Sequence, residues 1–262
     1  MIPEQFVTMV QQADPSWHAT LLKGLEAMTV ADPVYLPTLI SSAFFPTESR
    51  LFAAFALPLQ HVRYVLVGEG PYPRAASATG VCFMDGAVGS LWSASGLSKA
   101  VNRATSLRNF MKMLLVSAGH LQQERTAGDA LVEVAVKAQA PGAPLIQTLM
   151  QLQHNLTNNG FLLLNASLAF RVEVLPAKEA RSWQPLLEAV LVSLAQQNDA
   201  LSQKLPTLVL WGKIALQIEP MRVAQPFPKV IAEHPYNLSF ITNRAMQSLF
   251  GPMHLLDIIE HF

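Results

Sequence analysis

Residues 51–83 read LFAAFALPLQHVRYVLVGEGPYPRAASATGVCF. Inside this stretch RYVLVG (63–68) is an apolar run rich in β-branched residues, and GEGPYP (68–73) closes it with glycines and prolines. A strand covered on both faces needs unbroken apolar residues rather than alternation, and a Gly/Pro turn directly after it marks the exit into a loop. Three more runs share this character: GFLLLNAS (160–167), PTLVLWG (206–212) and KVIAEH (229–234). Helical periodicity surrounds them and predicts helices at 4–12, 17–28, 47–56, 97–118, 127–138, 145–157, 184–196, 214–218 and 242–250, with Thr47 after Pro46 as an N-cap. The pattern predicts an α/β fold: a single domain over 1–262 with a central four-stranded parallel sheet flanked by helices.

Composition agrees with one well-packed body. Apolar residues make up 51% of the chain and charged residues 14%, far from a disordered composition. No apolar run has the length of a bilayer span, and Pro3 and Glu4 stand where a signal peptide would carry basic residues, so a cytoplasmic protein is expected. The single cysteine, Cys82, excludes an internal disulfide and any multi-cysteine metal or iron–sulfur site, and no metal or cofactor is expected. Eighteen basic and 18 acidic side chains cancel. Any contact with DNA must then be local, because the whole molecule exerts no electrostatic pull on a polyanion.

In open α/β sheets, ligands bind outside the carboxyl ends of the strands, where loops and helix N-termini meet. The four strand ends deliver Gly68-Glu69-Gly70-Pro71-Tyr72, then Asn165, then Trp211-Gly212, then His234-Pro235. A Gly/Pro/Tyr loop, an amide and an imidazole are therefore expected in one place.

The same segments resemble those of the uracil-DNA glycosylase family. GEGPYP stands where that family has GQDPYH, and the interval from Gly68 to Phe83 matches without a gap. Ser106-Leu107-Arg108-Asn109 resembles the PPSLxN loop, GFLLLNASLAFR (160–171) resembles GVLLLNxxLTVR, LVLWGKIA (208–215) resembles LLWGxxA, and HPYNLS (234–239) resembles HPSPLS. The segment 117–144 exceeds what the family carries at that point and reads as an insertion.

The resemblance implies a role for each matching residue. A glycosylase draws its nucleotide out of the helix, holds the flipped base by stacking and edge hydrogen bonds, and stabilises charge as the N-glycosidic bond breaks. Phe83 would stack under the base, Asn165 would pair with the uracil O4/N3 edge, Tyr72 would exclude the thymine methyl, and Gly68 and Gly70 would line the pocket. His234 would donate to the departing base's O2, and Leu238 would fill the vacated stack. Ser106, Ser239, Arg74, Arg171, Lys213 and Arg244 would contact DNA phosphates, which position a duplex without reading it.

The departures fall elsewhere. Gly70 occupies the position of the family's water-activating aspartate, Pro73 that of its phosphate-contacting histidine, and HPYN that of HPSP. Another branch of the superfamily, with a GEAPG/GEGPG motif, carries a small residue there with a glutamate just before it, which makes Glu69 the candidate replacement. The expectation is a monomeric DNA-repair glycosylase of reduced or altered activity. The alternative is an inactive pseudo-glycosylase serving as a lesion- or protein-binding module.

Overall fold

The computed structural model describes residues 1–200 and 204–258. The chain runs through helices α1 (Glu4–Val10), α2 (His18–Ala31) and α3 (Tyr35–Ile40), strand β1 (Tyr64–Gly68) and the short strands β2 (Trp92–Ser93) and β3 (Gly96–Leu97). Helices α4 (Lys99–Arg103), α5 (Thr105–Ser117), α6 (Asp129–Gln139) and α7 (Leu149–Asn158) precede strand β4 (Phe161–Asn165). Helix α8 (Pro176–Ala200), strand β5 (Thr207–Trp211), helix α9 (Lys213–Ile218), strand β6 (Lys229–Ala232) and helix α10 (Arg244–Phe250) follow.

The four predicted strands form one sheet in the order β4-β1-β5-β6. β1 pairs in parallel with β4 on one side and β5 on the other, with Gly68 opposite Asn165. Bonds from Leu208 N–H to the Pro228 carbonyl (2.8 Å) and from Gly212 N–H to the Ala232 carbonyl (2.9 Å) keep β6 parallel as well. The apolar runs of β4 and β1 are unbroken because those strands are covered, every residue of β4 and the middle of β1 being buried, whereas β6 at the sheet edge leaves Ile231 exposed. Since β1 has a strand added on each side, the direction of the strand order reverses at its carboxyl end, the place where such sheets bind ligands.

Among the described residues there are two compact units, one within Met1–Gly86, Gly160–Leu210 and Ile214–Lys229, the other within Ala87–Asn159, Trp211–Lys213 and Val230–Phe262. In the first, α2 lies close against α8, where a Cβ on Gly24 would come within 3.0 Å of the Leu186 backbone. Trp17, Phe52, Phe55, Leu162 and Trp183 share its core. In the second, Phe110 of α5 packs its ring against Trp211, Phe240 and Phe250. Here too, α6 from the 117–144 segment folds onto the β2–β3 ribbon, with Gly96 at φ +115° against Leu131.

Several helix expectations are corrected. Thr47 caps nothing: Glu48 and Ser49 both take φ near +59°, and the helical stretch is a 3₁₀ segment confined to Arg50–Ala56. The helix predicted at 97–118 breaks at Ala104 (ψ 78°) into α4, capped by Ser98, and α5. α7 begins at Leu149 because Thr148 and Gln151 form a reciprocal capping box. α8 starts at Pro176, ahead of the predicted 184, and runs on through Pro185. α3 and the β2–β3 ribbon were not anticipated. Among the described residues no helix is long and apolar enough to cross a membrane.

Candidate active site

In the first unit the site grows from the paired ends of β1 and β4. Gly68 is wedged there: a Cβ would lie 2.5 Å from Cys82 Sγ and 2.8 Å from Asn165 Oδ1, distances no side chain tolerates. The loop after it is stitched to the loop after β4 by Ala166 N–H to the Gly68 carbonyl (2.8 Å) and Ser167 N–H to the Glu69 carbonyl (3.2 Å). Ser167 Oγ is used in turn on the Ala169 carbonyl at 2.6 Å. Asn165 is only 5% exposed, and its side-chain amide makes no hydrogen bond to any described residue. A sequestered amide left with one donor face and one acceptor suits a ligand edge that offers the complement.

Tyr72 and Phe83 approach each other at the same loop. The half-buried Tyr72 hydroxyl donates to the Phe83 carbonyl at 3.4 Å. Burial, helped by the nearby Cys82 and Asp85, pushes the phenol's pKa well above its ordinary value, so it stays a neutral donor. Phe83 adopts φ +69°, a conformation rare for a bulky side chain and costing on the order of 1–3 kcal/mol. The surroundings enforce it: Cys82 N–H bonds to the Leu163 carbonyl (3.0 Å), and Thr79 Oγ1 to the Met84 carbonyl (2.9 Å). Cys82 between them is inert, its thiol pushed up to about 12 by burial.

Glu69 and Gly70 differ from this packed group. Glu69 is exposed and its carboxylate has no hydrogen bond or ion pair among the described residues. Gly70 is open: the nearest atom to an added Cβ is Ser167 Cβ at 3.7 Å.

The second unit carries the histidine loop. His234 is exposed, and the Tyr236 N–H donates to its Nδ1 at 3.1 Å. A ring nitrogen that accepts carries no proton, so the neutral ring presents its N–H at Nε2. Gly212, at φ +62°, lets the chain pass so near that a Cβ would sit 2.8 Å from His234 Cβ. The loop is gripped from beneath by Asn109 of α5, fully buried, whose Nδ2 donates to the carbonyls of Pro235 (2.7 Å), Tyr236 (3.2 Å) and Asn237 (3.3 Å). Leu238, 68% exposed, opens the 3₁₀ turn Leu238–Thr242, and Ser239 beside it is exposed. Ser106 is half-buried in the first turn of α5.

Of the expected cations, Arg74, Lys213 and Arg244 are exposed. Arg171 is not available. It is 8% exposed, its Nε bonds Glu179 Oε1 at 2.5 Å, and its guanidinium lies over the Tyr35 ring at 5.2 Å, while the Tyr35 hydroxyl takes the other Glu179 oxygen. An arginine bound into a buried ion pair holds the first unit's fold and is withdrawn from the DNA-contacting set. Asn109 was overlooked; its signal was the amide closing SLRN, quoted for its resemblance without a role. No group of three His, Cys, Asp or Glu side chains among the described residues is arranged to hold a metal ion.

Fold and loops define a parallel α/β protein that offers hydrogen-bonding side chains at its strand ends. Similarity to proteins of known structure places it further. Over 97% of its length it matches 96% of the wild-type UNG crystal structure from Nitratifractor salsuginis, with 36% identity and a TM-score of 0.85. Among curated sequences it is 23% identical over 238 residues to the uracil-DNA glycosylase of Corynebacterium efficiens, covering 90% of this chain and 80% of that protein. It is 25% identical over 225 residues to that of Phocaeicola vulgatus, covering 84% and 80%. No family model matches the chain. The chain belongs to the uracil-DNA glycosylase superfamily.

Proposed function

We propose that this protein is a DNA glycosylase that removes uracil or a related damaged base from DNA, acting as a monomer in the cytoplasm without a metal. The observation that carries the reading is Asn165, 5% exposed at the strand end opposite Gly68, whose side-chain amide makes no hydrogen bond to any described residue. The names of the relatives support it. In this reading Phe83 stacks under the flipped base, Asn165 pairs with its O4/N3 edge, and Tyr72 excludes a methyl at C5. The C1′–N1 bond breaks, its electron pair leaves with the base, and the oxygen of water bonds to C1′ while giving up one proton to solvent. His234 donates from Nε2 to the charge developing on O2, a fixed dipole aimed at a transition-state anion. The base anion takes its proton from solvent, and an abasic sugar remains.

Leu238 fills the vacated stack, while Ser106, Ser239, Arg74, Lys213 and Arg244 touch the backbone. Glycine at position 70 removes a group whose loss lowers such rates by about 10²–10⁴-fold, which makes slow turnover the expectation. Glu69 is the neighbouring carboxylate able to recover part of it. The test is uracil release from a labelled strand, read after cleavage of abasic sites, with His234→Ala and Glu69→Gln beside the unaltered protein. Release above the His234→Ala background is expected, and equality with it sinks the enzymatic reading.

One observation favours a second reading, a lesion-binding module without turnover: no hydrogen bond or ion pair among the described residues holds the solvent-facing Glu69 carboxylate in place. Tight binding of uracil-containing DNA with no release in the same assay would select it.

A further inference from the structure

The second unit contains a cleft of about 420 Å³ that no role assigned so far uses. Arg108 and Lys112 of α5 line it, together with Gly128 and Asp129 at the start of α6 and Leu238. Lys112 is the unusual member. It is 9% exposed, yet its ammonium has no hydrogen bond or ion pair among the described residues. Burial, and then the charge of Arg108, pull its pKa below the ordinary lysine value. Its stem is packed while its ammonium reaches the cleft, and a partly desolvated cation without an acceptor gains from an incoming anion.

The rest of the cleft fits an anion. Arg108, half-buried, bonds only neutral acceptors, the Asn102 carbonyl (3.3 Å) and Asn109 Oδ1 (3.4 Å), and so keeps its charge. Asp129 makes no ion pair with either cation, so two positive charges face one negative. Gly128, the residue before α6, provides no side-chain cap, and a Cβ there would meet nothing within 4 Å. The uncapped first turn of this eleven-residue helix adds N–H groups to the positive end of a dipole.

We propose that this cleft binds a phosphodiester of the DNA backbone, held by Lys112 and Arg108 and walled by α6 of the 117–144 segment. The proposal rests on the glycosylase reading above. The reason for a backbone phosphate rather than a free anion is Leu238: the apolar side chain assigned to enter the helix lines the same cleft, so a strand brought to one reaches the other. The 117–144 segment then adds grip on DNA beside Leu238, where the resemblance sets Pro73 and HPYN in place of the family's own contacts.

The test is fluorescence anisotropy with a labelled duplex containing one 2′-fluoro-2′-deoxyuridine, a nucleotide that resists cleavage, titrated between about 50 and 200 mM salt. Lys112→Met keeps the volume and removes the charge; Arg108→Gln does the same at a more exposed position; Lys112→Arg restores the charge. Loss of one phosphate contact lowers the slope of log K against log salt by about 1, and Lys112→Arg is expected to recover it. Thermal melting checks each variant, and Arg108→Gln decides if Lys112→Met does not fold. Unchanged slopes with the unaltered protein still binding overturn this inference alone. An unaltered protein that neither binds the duplex nor releases uracil overturns the glycosylase reading, and this inference with it.

Discussion

At Gly68 an added Cβ would strike Cys82 Sγ at 2.5 Å and Asn165 Oδ1 at 2.8 Å, whereas at Gly70, two positions on, the nearest atom would be Ser167 Cβ at an ordinary 3.7 Å. The first ends β1 and the second lies in the loop after it, and sequence alone gives them the same standing. Packing separates them. The first is required by the approach of two strand ends; the second has space for any modest side chain. If Gly70 holds the aspartate position that the motif resemblance gives it, the fold did not force the change.

Three substitutions break or sharpen this contrast. The largest effect is expected from Gly70→Asp: single-turnover release of uracil should rise by about 10²–10⁴-fold, with folding stability changed by less than about 0.5 kcal/mol. No gain in rate would mean that the defect extends past position 70 to the grip on DNA. Gly68→Ala should cost about 1–3 kcal/mol in denaturant unfolding because its methyl overpacks the strand ends, and adding Cys82→Ala should return part of that. Full stability in Gly68→Ala would erase the distinction between the two glycines. Asn109→Ala should cost about 1–3 kcal/mol by stripping three loop carbonyls of a buried donor. Uracil release should fall with it through kcat, as His234 loses its fixed aim, and an unaltered kcat would show that the loop holds itself.

β1, β4 and β5 were legible because burial on both faces leaves its mark on nearly every residue, whereas β6, at the sheet edge with Ile231 42% exposed, lies inside its apolar run without that cover. Tyr72 and Phe83 were singled out by the ungapped interval from Gly68 and Asn165 by its place at the end of an apolar run, and the folded chain sets Tyr72 against Phe83 and Asn165 opposite Gly68. The left-handed backbone of Phe83 was not legible, since nothing in a phenylalanine announces a positive φ. Nor was the break at Ala104, where an alanine suits a helix and tertiary packing overrides that preference. Arg171 misled for a related reason: a cation after a strand reads as surface, and only the folded chain brings Glu179 and Tyr35 around it. Asn109 was missed because an amide within a helix looks like one more solvated polar residue, when in fact it is wholly buried.

That amide has a bearing on how such a loop changes over generations. Asn109 holds positions 235–237 by their carbonyl oxygens, which every residue possesses. Its hold is therefore blind to the side chains that ride on those positions. Tyr236 and Asn237 could be exchanged for other residues, and the loop that follows the imidazole would keep the same anchorage. The outward-facing letters of the loop are free to change toward new contacts without loosening the hold on the turn that carries its histidine.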